Sequence, residues 1–303
     1  MSQRRVEQRS KVSGRSVVRR KRQLSAGQIF GQTSYYVGLL MLLVVALVSL
    51  LPLYWMITGS FKIQSDAMKV PPEWFPASPT LENYRRLLFG SSPTFRWFLN
   101  SFIVASGIAL FAVLTSLLAG YTFGKKEFPG KTVLFWLLIM TMMLPKQISL
   151  IPLYILMQKL KWFNSYQGMI APYIAYPFGI FLIKQFMQSI PNDLIDAARI
   201  DGASEIGLFR HVIVPLTKPA IGALAIFAFV AGWNDYIWQL LMITRRPMLT
   251  LPVGVSRLTA SLDRYDLGLA MAGATFAFIP MLIVFLVFQD YFVKGITMGA
   301  VKG

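Results

Sequence analysis

Four carboxylates, Asp193, Asp196, Asp201 and Glu205, stand together in PNDLIDAARIDGASEIGLFRHVIVPLTKP, the segment from Pro191 to Pro219, with apolar sequence on both sides. Clustered acids invite metal binding, acid–base chemistry or charged contact with another protein. The chain has no cysteine and one histidine, His211, which removes structural disulfides, thiolate zinc sites, iron–sulfur clusters and a cysteine nucleophile. An enzyme needs an acid, a base and a nucleophile that converge, and a chain whose one histidine lies in a connecting segment offers no such set. The acids alternate with Ala197, Ala198, Gly202 and Ala203, small residues that let another protein approach closely. The segment reads as a docking surface. An amphipathic connector lying at a membrane interface is the alternative that the same residues fit.

Asn192-Asp193, after Pro191, offers a helix N-cap. Asp193 and Asp196 sit in or near the first turn, where negative charge stabilises by about 0.3–1 kcal/mol against the helix dipole. Leu194, Ile195, Ala197, Ala198 and Ile200 give that helix an apolar side. Asp201-Gly202 predicts a turn before a second short helix from Ala203 to about His211, and Pro215 suits the first turn of the apolar helix beyond. His211 is either a solvated polar residue or a group that tunes contact with the docked partner.

A second group combines Asn234, Asp235 and Gln239 with Trp233, Tyr236 and Trp238 inside an apolar run. A charge at membrane depth costs about 2.5–3.5 kcal/mol on insertion scales, so polar groups there mark functional positions. Hydrogen-bonding groups beside aromatic faces are what the hydroxyls and apolar ring face of a sugar need. The structural alternative is that Asn and Gln join helices, contributing about 0.6 kcal/mol each, while Trp and Tyr mark the membrane interface. Asn100, Ser101, Ser106, Thr115 and Ser116 equally fit a polar path or helix packing, and Gly120 and Gly124 have the spacing of close helix contact. Lys184 reads as a snorkelling cation.

The elements that position these groups are membrane spans. Of 303 residues 55% are hydrophobic and 14% charged, and the apolar residues gather in runs of about 20, enough to cross a hydrocarbon core of ~30 Å. The runs extend from about Tyr35 to Gly59, Trp97 to Phe123, Thr132 to Leu144, Gly168 to Gln188, Pro215 to Leu241 and Leu269 to Val293. The third is short and is stopped by Pro145, Lys146 and Gln147, after which residues 148–161 either lie on the interface or continue a bent span. Lys62 to Arg96, rich in Pro, charge and aromatic residues, reads as an ordered outer loop. Residues 1–34 hold nine basic residues against Glu7 and too little apolar surface for a core. Beside a span they read as a topological signal against anionic lipid rather than a nucleic-acid-binding arm, and they place the N-terminus in the cytoplasm. Cations in the outer loops, among them Lys62, Arg85, Arg245, Arg246, Arg257 and Arg264, weigh against this orientation, and the tail preceding the first span decides it. That span has no small-residue cleavage site after it and stays as an anchor.

The expected fold is all-α: a polytopic membrane protein with six transmembrane helices and both termini cytoplasmic. A basic tail occupies 1–34 and the transmembrane domain 35–303, with the polar loop at 191–215 inside it. GKKEFPGKT, from Gly124 to Thr132, imitates a phosphate-binding loop but has five residues between its glycines where the motif needs four, and no strand precedes it. It reads as a turn, and the chain has no visible means of hydrolysing ATP.

Asp196-Ala197-Ala198, then Asp201-Gly202-Ala203 and Val212-Ile213-Val214-Pro215, resembles the EAA loop of permease subunits in bacterial ABC importers, with Asp196 where Glu is usual. Asn100-Ser101, Gly120-Tyr121, Ile151-Pro152-Leu153-Tyr154, Trp233-Asn234-Asp235 and the ending Gly299-Ala300-Val301-Lys302-Gly303 look like the carbohydrate-uptake branch of that family, so that the resemblance covers roughly 35–303. It implies an ATPase-coupling role for Asp196, Ala197, Ala198, Asp201, Gly202, Ala203 and Pro215. It implies as partners an ABC ATPase dimer carrying ATP and magnesium, a second permease, an extracytoplasmic solute-binding protein, a sugar and the lipid of the bacterial cytoplasmic membrane, with no cofactor on this chain and no nucleic acid. The substrate-path candidates are Asn100, Trp233, Asn234, Asp235, Tyr236 and Gln239. A related solute such as glycerol phosphate is the alternative cargo. A gradient-driven secondary transporter would need embedded carboxylates, for which Asp235 and Asp290 are the candidates, and no convincing internal repeat is visible.

Overall fold

The computed structural model describes residues 26–260 and 266–297. The basic residues of the tail, Arg264 and the Gly299–Gly303 ending lie outside that range. The chain divides after Tyr54 into two compact units. The first holds most of α1 (Ala26–Gly59), whose side chains from Ser34 to Leu51 are all exposed and whose apolar window reaches a mean hydropathy of 2.6. A helix apolar on every side belongs in hydrocarbon.

The second unit carries α2 (Gln64–Ala67), α3 (Glu82–Phe89), α4 (Thr94–Lys125), α5 (Lys131–Met143), α6 (Lys146–Lys159), α7 (Tyr166–Ile170) and α8 (Pro177–Ser189). They are followed by α9 (Asn192–Ile200), α10 (Glu205–Leu208), α11 (Val214–Trp233), α12 (Ile237–Met242), α13 (Leu251–Ala260) and α14 (Leu267–Thr297). With 32 residues α4 is about 48 Å long, more than a hydrocarbon core requires. It packs against α8 and α11. A Cβ on Gly120 would lie 2.5 Å from Ile183 Cγ2, and one on Gly124 would lie 2.6 Å from Met187 Cβ. The glycine pair is therefore a helix contact, with α8 seated where side chains are missing.

At 13 residues α5 is about 20 Å long, too short to cross alone. It stops at Leu144-Pro145, and α6, which covers the stretch whose course the sequence left open, turns from it by 99°. A 3-10 turn, Ala171–Tyr173, follows α7, and α8 leaves that pair at 44°. Among the described residues four helices are long and apolar enough to cross a membrane, or up to six if each bent pair is one span. The expected fifth span, Pro215 to Leu241, needs correction at both ends. It begins earlier, because α10, a π-helical turn at Phe209–Ile213 and α11 run on without a break, and it ends at Trp233. The π turn lies just ahead of Pro215, which has no N–H to donate.

Opposite ends of α4 meet different structures. Near its start Trp97 Nε1 donates to Arg246 O at 2.7 Å, and Asn100 Nδ2 donates to Pro247 O and Leu249 O at 2.8 and 2.9 Å. Ser101 Oγ accepts from Leu251 N at 2.8 Å. Three side chains of this segment thus hold the irregular backbone ahead of α13, and Asn164, between α6 and α7, adds a fourth, its Oδ1 accepting from the N–H of Thr244 and Arg245 at 2.8 and 3.2 Å. The expected ordered loop at 62–96 is anchored by Asn83, which donates to Ser60 O and Lys62 O, and by the Arg86–Asp266 ion pair at 2.6 Å.

Candidate functional site

At the other end of α4 the polar loop takes a defined shape. Pro191 occupies the N-cap position of α9, and Asn192, expected to cap it, instead accepts from Lys125 Nζ at 2.8 Å. Lys125 also donates to Ile190 O at 2.5 Å. The C-terminus closes as a Schellman motif: Ala203 N donates to Ala198 O and Gly202 N to Arg199 O, both at 3.0 Å. Gly202 has φ +82°, a conformation that side chains penalise, so the predicted turn falls on the residue that can make it. The second helix begins later than expected. Ala203 precedes it, Ser204 caps it by accepting from Gly207 N at 3.1 Å, and Glu205 opens it. It is the first turn of the following span rather than a separate helix, so a push on α10 reaches α11 directly.

Charges fasten this loop. Glu205 accepts from Lys126 and, at 3.3 Å, from Tyr121 OH; Arg199 contacts Asp196 at 3.2 Å and Glu205 at 3.4 Å. Beneath them Ile195, Leu208 and Ile213 join Tyr121, Ile183 and Met187 in a buried cluster. The sequence had not assigned Lys125, Lys126, Arg199 or Ser204 a part. The two lysines lie in the stretch that imitates a phosphate loop, and nothing local announces partners more than 60 residues away. Because the Lys126–Glu205 pair is partly exposed, Lys126→Ala is expected to lower unfolding stability by less than about 1 kcal/mol, and less still in high salt. Thermal melting at two ionic strengths checks this.

The outward side of the loop is apolar as well as charged. Ile200 is 86% exposed, Ile206 81% and Leu194 46%, with Ala197, Gly202 and Ala203 exposed beside them. The apolar residues of α9 therefore divide, Ile195 inward and Leu194, Ala197 and Ile200 outward. Beyond its two chain neighbours, no heavy atom lies within 4 Å of a Cβ placed on Gly202. Pro215 is exposed two turns further along.

The second candidate group surrounds the break after α11. Asn234-Asp235-Tyr236 is outside regular helix, Asn234 is exposed, and Asp235 accepts from Tyr173 OH and, at 3.2 Å, from Gln239 Nε2. Tyr236 OH pairs with Ser256 Oγ at 2.9 Å. Trp233 is 1% exposed and donates to Ala277 O at 3.2 Å, Gln239 is 0% exposed, and Trp238 Nε1 donates to Gly168 O at 3.0 Å. Asn100 lies apart from this group, 1% exposed, clamping the 247–249 backbone and accepting from Tyr166 OH at 2.7 Å. Tyr173, unnoticed in the sequence, links α7 to the break.

Residues 112–298 match the family described as the binding-protein-dependent transport system inner membrane component. The chain belongs to that family. It is the membrane permease of an ABC transporter, not itself the ATPase, and membership implies an ATPase and a solute-binding protein as partners. Among relatives, the arabinooligosaccharides transport system permease protein AraQ of Bacillus subtilis is 34% identical, covering 87% of this chain and 94% of its own. The trehalose/maltose transport system permease protein MalG of Thermococcus litoralis is 35% identical over 86% and 94%. The sn-glycerol-3-phosphate transport system permease protein UgpE of Brucella abortus is 30% identical over 87% and 96%. A solved bacterial ABC transporter involved in import of the acidic polysaccharide alginate shares the fold, with a TM-score of 0.76 at 21% identity over 88% of this permease and 98% of that chain.

Proposed function

We propose that this permease imports a sugar or oligosaccharide, paired with a second permease and driven by an ATPase dimer that docks on residues 191–215. Both termini and the docking loop face the cytoplasm, and the last outer loop and the 62–96 loop face the solute-binding protein. ATP and magnesium belong to the ATPase, and this chain holds no cofactor. Asp196, Ala197, Ala198, Asp201, Gly202 and Ala203 form the docking face, and Pro215 sets the start of the span it moves. Asn234, Asp235 and Tyr236 face the solute path, with Trp233, Gln239 and Asn100 holding the surrounding helices in place.

The observation that carries the docking assignment is an exposed surface of Leu194, Ile200 and Ile206 around small residues, on a loop otherwise fixed by ion pairs. Two isoleucines more than four-fifths exposed on one short loop are apolar surface of the kind that marks an interaction site. The permease then behaves as a two-state element whose equilibrium the ATPase biases through α9, α10 and α11. The sugar assignment leans on the AraQ and MalG relatives, at higher identity than UgpE.

Gentle purification from the native membrane tests the assembly. Wild type is expected to bring an ATPase and a second permease, and Gly202→Trp to lose the ATPase alone. Retention of the ATPase by the bulky variant would place docking elsewhere.

A further inference from the structure

We infer that this chain itself touches the transported solute, in a cavity of about 570 Å³ at the breaks of the two bent helix pairs, and that a lysine in its wall, offset by Asp235 behind the Tyr173 ring, suits it to a neutral sugar. This rests on the sugar-import reading and adds to it a contact surface and a selectivity element.

The cavity is lined by Lys146 and Ser149 from the first turns of α6, Tyr173, Tyr176 and Phe178 from the bend between α7 and α8, and Trp238 from α12. Its volume falls in the range of about 300–1,000 Å³ typical of small-molecule sites. Irregular backbone at membrane depth persists where it lines a cavity or is buried in protein, and this cavity sits at two such interruptions. Aromatic rings meet here, Tyr176 and Phe178 at the start of α8 lying edge to face at 6.0 Å between centroids. Rings arranged this way cover the C–H face of a pyranose, while the Ser149 hydroxyl and the Lys146 ammonium supply hydrogen bonds for its hydroxyls.

Charge decides the class of solute. Lys146 Nζ lies 5.7 Å from the centroid of the Tyr173 ring, and the hydroxyl of the same ring donates to Asp235. Neither Lys146 nor Asp235 has an ion-pair partner within 4 Å among the described residues. One ring therefore carries a cation over its face and an anion at its edge, and the two offset each other. A neutral polyol meets donors and acceptors without an uncompensated charge to desolvate, whereas a phosphate or carboxylate gains Lys146 and is opposed by Asp235. Removing Asp235 alone leaves a net positive cavity.

The full assembly, with its ATPase and binding protein, is reconstituted in vesicles and offered radiolabelled maltose, trehalose, arabinotriose and glycerol 3-phosphate. Wild type is expected to take up at least one of the sugars. If it moves only glycerol 3-phosphate, or none of the four, the sugar reading fails, and the neutral cavity with it, before any variant is made. With a transported sugar in hand, Tyr176→Ala is expected to lose uptake by at least about tenfold while ATP hydrolysis stimulated by loaded binding protein stays within about twofold, and Tyr176→Phe is expected to restore uptake. Wild-type uptake by Tyr176→Ala would overturn the inference and leave the importer reading intact. Selectivity is read on the purified assembly without binding protein, by quenching of tryptophan fluorescence with Trp238→Phe as the baseline. The sugar is expected to quench wild type and glycerol 3-phosphate is not, while Asp235→Asn gains a response to glycerol 3-phosphate that Asp235→Asn with Lys146→Gln loses. An unchanged response to glycerol 3-phosphate in Asp235→Asn would remove the charge-balance argument.

Discussion

Ile200→Asp is expected to weaken ATPase docking by about a thousandfold in Kd and to leave the permease folded. The side chain is 86% exposed on α9, so the free protein loses little by the change. In the docked state an isoleucine buried at the partner surface is worth about 2 kcal/mol. A carboxylate forced into the same seat without a partner costs several kcal/mol more. At 1.4 kcal/mol per tenfold, the sum of 4 kcal/mol or above gives about three orders of magnitude. Titration of the ATPase onto permease held in lipid discs measures the change, and thermal melting of the free permease is expected to move by no more than about 0.5 kcal/mol. Ile195, the same residue type about 140° around the helix, is 4% exposed in the core beneath the loop. Asp at that position is expected to unfold the loop instead, so the pair separates docking from folding.

The second large effect lies in the contact of α4 with α8. A Cβ on Gly120 would stand 2.5 Å from Ile183 Cγ2, 2.7 Å from Ile183 Cβ and 3.0 Å from the backbone N of Lys184. The last of these cannot rotate away, so Gly120→Ile must separate the two helices. Overpacking of this kind costs about 1–3 kcal/mol where neighbours can yield, and the backbone contact places this site at or above the upper limit. At about 2–4 °C per kcal/mol for a domain of this size, the melting temperature is expected to fall by about 5–10 °C, with uptake reduced in parallel. Leu118→Ala, at a side chain 57% exposed on the same helix, is expected to change melting by about 0.5 kcal/mol or less. Equal melting of Gly120→Ile and wild type would mean that the close approach of α4 and α8 is not present in solution.

These two sites differ in how far the sequence disclosed them. The glycine spacing at 120 and 124 announced a close contact, because only missing side chains permit one, but α8 as its partner required the structure. The turn at Gly202 was legible because a left-handed backbone selects glycine. The family-like pattern around it was legible through Ala197, Ala198 and Ala203, small residues set among acids. Spans were legible wherever about 20 apolar residues run together. The break at Asn234-Asp235-Tyr236 was not, because the nearest glycine, Gly232, lies within α11 rather than at the break, and hydropathy stays high on both sides. Asn100 was ambiguous for a different reason. A buried amide in an apolar run has the same sequence whether it meets a solute hydroxyl or a backbone carbonyl, and here it meets Pro247 O and Leu249 O. Likewise the attachment of Glu205 to Lys126 joins residues 79 positions apart, and only the fold brings them together.

On the proposed docking role, the loop and the continuous run from α10 into α11 make the permease a follower of its ATPase rather than a motor of its own. Uptake by the purified assembly in sealed vesicles, driven either by ATP or by an imposed proton or sodium gradient, tests that claim most directly. Uptake that requires ATP and the ATPase, and is unaffected by either gradient, is the predicted result. Uptake that persists on a gradient with the ATPase removed would contradict it.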